Sequence, residues 1–587
     1  MRLPARIALA VPVGLALLAA LAGAWLLVGL RQTNHDDHYF DLLAHNPDVR
    51  LWEATLWVSG FGRRLAHLLN VPSAVLTLRV MNLPVIGDIA LLAQLGVIFG
   101  GFGLLLRRLA GGAAAAGWAM LMAGGFALHW YFMPPLAYPL HGLNSVMLLA
   151  LSLLALQRHI ERGGWIWLAL SLLASSVGIL WPEFNFILYP IATFTLILLG
   201  RAGRRARLRT ALPFVLLWSA LVLAMLAFRV LTPVAADEAR MTAVLDVTAW
   251  AAALGTLLGK GLLPTALLLG IELHLAAIPG MPAWPRRVDA ALIGRITAAA
   301  PFGFAVAVLL WSAGFMVVLH QLAPRRGGLW LLLCAGLAVM LIPVGVVALS
   351  AEYQRILRLG YVQGALATAH AQAGFLTVLF AAAALLALRW PNWPIQGALA
   401  LLLGALCTMT LAYNLVMRDV QAANHQRWLA FALIAEALPE GSTLRAPSLW
   451  LSSGVSSIPG GLTFGMTNYW SERARIWHGR RLTVLEGEAA PVAGEAFAGY
   501  GLRAGGQPLV LLRQGTTTEL LARRPLPVDG ALTAAAAWTC DTLCRMPLAP
   551  GTDVERVLSP APQRHGGLLD WWLAPREGGF GRRASWP

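Results

Sequence analysis

The chain has 587 residues, 58% of them hydrophobic and 12% charged, with a mean hydropathy of +0.67. A soluble protein carries about a quarter charged residues, so the composition excludes a soluble enzyme, a collagen-like or disordered chain and a disulfide scaffold. The net charge of +16 rests on arginine, with Lys260 the only lysine, and the arginines fall in short bursts between apolar stretches. Such bursts are topology signals at a membrane surface, not a groove that tracks nucleic acid, and nucleic acid is excluded as a partner.

In chain order, the first apolar stretch runs from about Ile7 to Leu30. It is too long for a signal-peptide core and reads as a first membrane span with Arg2 and Arg6 inside. Apolar stretches of spanning length follow near 84–106, 111–133, 143–157, 165–181, 184–200, 211–233, 299–322, 329–350, 375–389 and 395–416. That makes about eleven spans. Inside loops then hold Arg107, Arg108, Arg158, Arg162, the burst from Arg201 to Arg209, Arg325, Arg326 and Arg389, against a single acid, Glu161. The first outside loop, 31–83, carries acids and arginines in balance, as the positive-inside rule expects.

Residues 247–278 are apolar but broken by Gly259, Lys260, Gly261 and Pro264. One span here would reverse everything downstream and put Arg325 and Arg326 outside, so two surface or re-entrant helices are expected. From Met417 onward Pro, Gly, Thr and charge rise, a helix is expected from about Asn424 to Leu438, and runs such as 508–513 (PLVLLR) read as strands. The predicted fold is an α-helical polytopic membrane protein. Residues 1–416 form the transmembrane module, with outer segments 31–83, 234–298 and 351–374. Residues 417–587 form a small α/β domain outside. Cys540 and Cys544, spaced C-x3-C with no further Cys or His to complete a zinc site, suit a disulfide in an oxidising compartment. Cys334 and Cys407 lie in apolar segments as inert packing.

The first outside loop opens with His35-Asp36-Asp37-His38-Tyr39. Adjacent carboxylates raise one another's pKa, which poises a general base; the same pair also suits the N-cap of a following helix. The residue types admit a divalent cation, although four consecutive residues rarely fold round one ion; no other cofactor is indicated. Residues 52–69 have the period of a helix lying on the membrane surface.

An acid pair and an aromatic directly after the first span, the Trp181-Pro182-Glu183 step, the Tyr353-Gln354 segment and an outer C-terminal domain together resemble the GT-C superfamily of membrane glycosyltransferases. Some such families carry Arg where Trp181 stands. The resemblance implies a polyprenyl-phosphate-linked sugar donor and a glycan, lipid or protein acceptor of the cell envelope. It also implies inversion at the anomeric carbon and an acid of the first outer loop as base. Asp36 is the expected base, and Asp37 holds the acceptor or tunes Asp36. Arg355 and Arg358, three apart and so on one helix face, suit the donor phosphate; their other reading is an anchor to anionic lipid. Glu183, Tyr353, Gln354 and His141 are expected to contact substrate, with His129 and Asn144 flanking the same outside turn. The expected place is a bacterial inner membrane, N-terminus cytoplasmic and C-terminal domain periplasmic, in contact with membrane lipid. The rival readings are a transporter or flippase for lipid-linked saccharides and a non-catalytic assembly subunit. A transporter wants charges within its spans, and here the spans are nearly free of them.

Overall fold

A computed structural model describes residues 10, 13–18, 20, 21, 23, 43–46, 50–61, 65–83, 85–128, 141–180, 184–200, 203–232, 246–272, 287–351, 354, 365–445, 469–485, 494–503, 507–526 and 538–549. The described elements begin with α1 (Leu51–Phe61), α2 (His67–Asn82), α3 (Ile86–Leu109), α4 (Gly112–Gly125), α5 (His141–Arg162), α6 (Trp165–Ile179), α7 (Asn185–Leu199) and α8 (Arg204–Leu231). They continue with α9 (Val247–Gly261), α10 (Leu263–Leu269), β1 (Ile271–Glu272), β2 (Arg287–Val288), α11 (Ala290–Ala299), α12 (Pro301–His320), α13 (Arg326–Ala348), α14 (Ala365–Arg389) and α15 (Trp393–Ala437). The last are β3 (Thr443–Arg445), α16 (Tyr469–His478), β4 (Thr483–Leu485), β5 (Ala496–Arg503), β6 (Gln507–Gln514), β7 (Thr517–Ala522), β8 (Thr539–Cys540) and β9 (Cys544–Pro547). They fall into two compact units. One comprises Met1–Val28, Arg50–Leu269 and Pro301–Val416; the other comprises Gly29–Val49, Gly270–Ala300 and Met417–Pro587.

The first unit is helical. Among the described residues 7 helices are long and apolar enough to cross a membrane, which makes this a multi-pass membrane fold. The expected count of about eleven included shorter stretches. Of these, α6 and α7 form as apolar helices of 15 residues each, and the first stretch is helical at its described positions. Three boundaries differ from expectation. The helix α4 stops at Gly125 and the chain turns extended at Phe126, although the apolar run continues to 133. A Cβ on Gly124 would lie 2.4 Å from the Trp311 ring, so this glycine permits the close approach of α12. The helix α14 begins at Ala365, ten residues before its most apolar part, so Thr368, His370 and Gln372 belong to the helix rather than to an outer loop. The helix α15 runs unbroken to Ala437 past the expected boundary at 416. The charge content changes there, but no Gly or Pro interrupts the chain between Gly404 and Pro439, and charge alone does not stop a helix.

The core of this unit places α4 among α12, α14 and α15, with Trp118, Leu121, Phe315, Phe380 and Leu403 buried together. Helix α13 lies against α14 at Gly336 and Gly374, where a Cβ on Gly374 would meet the Met340 backbone nitrogen at 2.3 Å. Small residues of this kind let helix backbones approach where no hydrophobic driving force separates protein from lipid. At one end of the unit arginines close the helices. Arg108 pairs with Glu161, Arg325 donates to the Arg108 carbonyl at 3.2 Å and Arg326 to the Leu388 carbonyl at 3.2 Å. These guanidinium groups occupy helix C-terminal carbonyls that have no partner within their own helix. Described Asp, Glu, Lys and Arg residues in the seven candidate spans lie within about six residues of their ends.

The second unit carries a seven-stranded mixed sheet of order β4-β3-β5-β6-β7-β9-β8. Strand β3 runs parallel to β4 and β5, a pairing that needs the crossover supplied by the segment carrying α16. Strand β6, expected from its sequence, alternates Val510 and Leu512 onto one face with Leu509 and Leu511 onto the other. Helices cover the first face with Phe431, Ile434, Trp470 and Ala474, and both faces of the central strand are buried. Cys540 and Cys544 are partners on the β8–β9 hairpin and are disulfide-bonded. Asp246 and Asp289 cap the N-termini of α9 and α11 with their side chains.

Gln372 on α14 is fully buried and bridges two broken helix ends: its Nε2 donates to the Gly125 carbonyl at 3.2 Å, and its Oε1 accepts from the Leu263 amide at 3.1 Å. Replacing it by Leu keeps the volume and strands both groups. The Gln372→Leu protein is expected to lose about 1–3 kcal/mol in denaturant unfolding in micelles. Wild-type stability in that variant would show that the bridge contributes nothing.

Candidate functional site

Helix geometry fixes where the polar groups of the helical unit lie. Gln372 is seventeen residues from the arginine-bearing end of α14, about 25 Å at the helical rise. Around that level the backbone is irregular and held by side chains. Asn414 of α15 donates to the Phe126 carbonyl at 2.9 Å and accepts from the Leu128 amide at 2.7 Å, so it secures the extended chain after α4 on both sides. Thr410 reaches the Gly125 carbonyl. A 100° bend separates Val247–Gly259 from Leu263–Leu269, and the indole of Trp250 donates to the Gly345 carbonyl at 3.0 Å. Broken helices at membrane depth require such internal partners, because lipid offers none.

The same end holds a second polar chain. Gln94 of α3 donates to Asn144 of α5 at 2.8 Å, and Asn144 donates to Ser73 of α2 at 3.1 Å. Between α6 and α7 the buried Phe184 meets the His370 ring edge-on at 4.8 Å between centroids, and Asn185 donates to the Gly178 carbonyl at 2.9 Å. His370 lies inside the apolar helix Ala367–Arg389. Ionisable side chains within spans are rare and mark functional positions, so His370 joins the candidates. The sequence does not single it out, because the strongly apolar run begins at 375 and position 370 falls before it. The signal available was a His and a Gln in ALATAHAQAGFL.

In the second unit, residues 43–45 form a helical turn and the His45 ring sits 4.1 Å from the Trp477 ring of α16. The Arg473 guanidinium lies 5.2 Å over the same indole. Phe431 packs on Trp470 at 4.6 Å and on His478 at 6.0 Å. Glu436 holds Arg523 through two hydrogen bonds of 2.6 and 2.7 Å, and Arg445 forks onto Glu495 at 2.9 and 3.2 Å. Burial first and then the neighbouring Arg473 push the His478 imidazole down to about 4, with Arg523 adding to the effect and Glu436 opposing it.

Of the expected site residues, Asp36, Asp37, Glu183, Tyr353, Arg355 and Arg358 lie outside the described residues, as do His35, His38 and His129. His141 is the first residue of α5. Gln354 is buried and donates to the Ala348 carbonyl at 3.0 Å, so it closes the end of α13. No group of three or more potential metal ligands occurs among the described residues.

No protein-family model matches the chain, and no curated protein matches it. Among solved structures it is similar to the crystal structure of the oligosaccharyltransferase of Archaeoglobus fulgidus, tethered by a disulfide bond to an acceptor peptide containing the NVT sequon. The identity is 14% and the TM-score 0.30, over 75% of this chain and 63% of that one.

A prediction follows from His478. An unfolded His titrates near 6.5, whereas the folded one holds out to about 4, so between these values the unfolded state binds the extra proton. Stability is therefore lost as pH falls through that window and is level below it. The thermal unfolding midpoint of the C-terminal unit in the intact chain is expected to drop from pH 6.5 to 4, and His478→Phe is expected to flatten the slope. An unchanged slope in the variant would assign the loss to other groups.

Proposed function

We propose that the chain is a membrane glycosyltransferase. It moves a sugar from a polyprenyl-phosphate-linked donor to an acceptor at the membrane face opposite its arginine-closed helix ends. The observation that supports this reading is segregation within the helical unit. Described Asp, Glu, Lys and Arg residues keep within about six residues of the ends of the candidate spans, while the broken helices, the hydrogen-bonded Gln372, Asn414 and Asn144, and His370 gather towards one end. A conduit for a saccharide needs polar or charged groups along its depth. Chemistry at one face needs them at one end only.

The roles are assigned from the resemblance read in the sequence. Asp36 takes the proton of the acceptor hydroxyl as its oxygen attacks the anomeric carbon, and the bond from that carbon to the phosphate oxygen breaks with its electron pair leaving on the lipid phosphate. Asp37 holds the acceptor. Arg355 and Arg358 stabilise the departing phosphate, whose charge needs cations rather than a proton donor. Glu183, Tyr353 and His141 orient the sugar, and the configuration at the anomeric carbon inverts. Gln354 keeps the end of α13. The positive-inside rule puts the arginine ends in the cytoplasm of a bacterial cell and the C-terminal domain in the periplasm, where a cell-envelope glycan, lipid or protein is the acceptor.

Two experiments test this. Wild-type and Asp36→Asn proteins in micelles, given a panel of polyprenyl-phosphate sugars and envelope extract, are compared for release of lipid phosphate. Turnover is expected from the wild type and a loss of about 100-fold or more from the variant. Full turnover by Asp36→Asn would remove the base assignment. For orientation, alkylation of intact cells without reductant should leave Cys540 and Cys544 unmodified and a prior reduction should expose both. Free thiols at both positions would contradict a periplasmic domain.

A further inference from the structure

The arginine-bearing end of the helical unit is not uniform. Arg108 is engaged by Glu161, Arg207 by the Gly200 carbonyl, Arg325 by the Arg108 carbonyl and Arg326 by the Leu388 carbonyl. Arg204, Arg205 and Arg209 of α8 are exposed and make no hydrogen bond or ion pair among the described residues. Glu161, the one described acid at this end, is already taken by Arg108. These three arginines also stand where helix physics disfavours them. The start of a helix carries a partial positive charge and favours acids. Yet α8 opens with Arg204, Arg205, Arg207 and Arg209, has no acid in its first turn and has no side-chain cap at Gly203. Arg205 and Arg209, four apart, repel one another as well.

Length and periodicity show what lies against them. The 28 residues of α8 rise about 42 Å, against about 30 Å of bilayer hydrocarbon. Leu212 to Leu231 fill that thickness with a single charge, Arg229, so the turns before Leu212 stand at the headgroup level. The exposed indoles of Trp165, Trp330 and Trp393, at the starts of α6, α13 and α15, mark the same level. At about 100° per residue, Arg204, Arg205 and Arg209 share an arc of about 140° with the exposed Leu208, Leu212, Leu216 and Leu223. The buried Phe214 and Trp218 and the engaged Arg207 lie on the other side of the helix. Helix α8 is the least buried of the seven candidate spans. Its three exposed guanidinium groups therefore sit at the head of a lipid-facing apolar stripe.

We infer that this face of α8 is a binding site for an anionic phospholipid, with the phosphate on Arg204, Arg205 and Arg209 and the acyl chains along Leu208, Leu212 and Leu216. The site is separate from the proposed transfer site and does not depend on the glycosyltransferase reading. Charge complementarity selects the occupant. A headgroup of net negative charge neutralises the cations and the positive helix end together, whereas a zwitterionic headgroup brings a further cation to the same place.

The test titrates delipidated full-length protein in micelles with phosphatidylglycerol and, separately, with phosphatidylcholine of the same acyl chains, counting bound copies by native mass spectrometry. The first phosphatidylglycerol should bind about tenfold or more tighter than the first phosphatidylcholine. Equal affinities would overturn the site, and this comparison needs no variant. Arg204→Gln with Arg209→Gln should reduce the preference to about threefold or less. Arg107→Gln with Arg389→Gln removes as much charge from the same end, at the last turns of α3 and α14, and should leave the preference within about twofold of the wild type. Equal losses in the two double variants would show a diffuse positive surface and overturn the site. Glycerol 3-phosphate in large excess should not displace the lipid; displacement would assign the arginines to a soluble phosphate and overturn the lipid.

Discussion

A membrane protein that breaks its helices inside the bilayer must supply, from its own side chains, every hydrogen bond that the break removes. In this chain Gln372, Asn414 and Thr410 meet the requirement around the end of α4. Gln372 uses both ends of its amide, donating to the carbonyl that α4 leaves open and accepting from the amide with which α10 begins. Asn414 does the same for the extended residues after α4. Without such partners α4 would have to cross as a continuous helix, and the irregular backbone at that end of the unit could not persist.

The rest of the helical unit is arranged about this constraint. Its opposite end is closed by arginines that cap carbonyls and pair with Glu161. Between the two ends the packing is mainly apolar and rich in small residues, as at Gly336 and Gly374, with hydrogen bonds between helices at Ser152–Ser171 and Trp118–Thr377. The second unit is organised differently, around a sheet whose central strand is buried on both faces and whose helix α16 packs through Trp477 against His45 of the turn at 43–45.

Much of this was legible in the sequence. The apolar runs, the arginine bursts between them and the alternation of PLVLLR give the long helices, their closed end and β6. What was not legible is tertiary. The polar residues of ALATAHAQAG dilute the apolar signal, so the sequence does not place the helix start at Ala365, and only packing against α4 and α10 gives Gln372 its role. The continuity of α15 is hidden by a change in charge that does not by itself end a helix where no Gly or Pro interrupts it. The contact of His45 with Trp477 joins residues far apart in the chain, and no spacing rule connects them. Among the site candidates, the acid pair is a candidate by residue type and sequence position alone, whereas His370 becomes one only through its place in a helix and its contact with Phe184.

The central claim is that a lipid-linked sugar is handled at the end of the helical unit opposite the arginines. The most direct measurement is photo-crosslinking with a polyprenyl phosphate that carries a diazirine beside the phosphate, followed by mass spectrometry of the modified peptides. The account predicts labels, competed by unlabelled lipid phosphate, on the segment after Gly125, around Leu263 and at the start of α14. Competed labels confined to the arginine-bearing ends would contradict it.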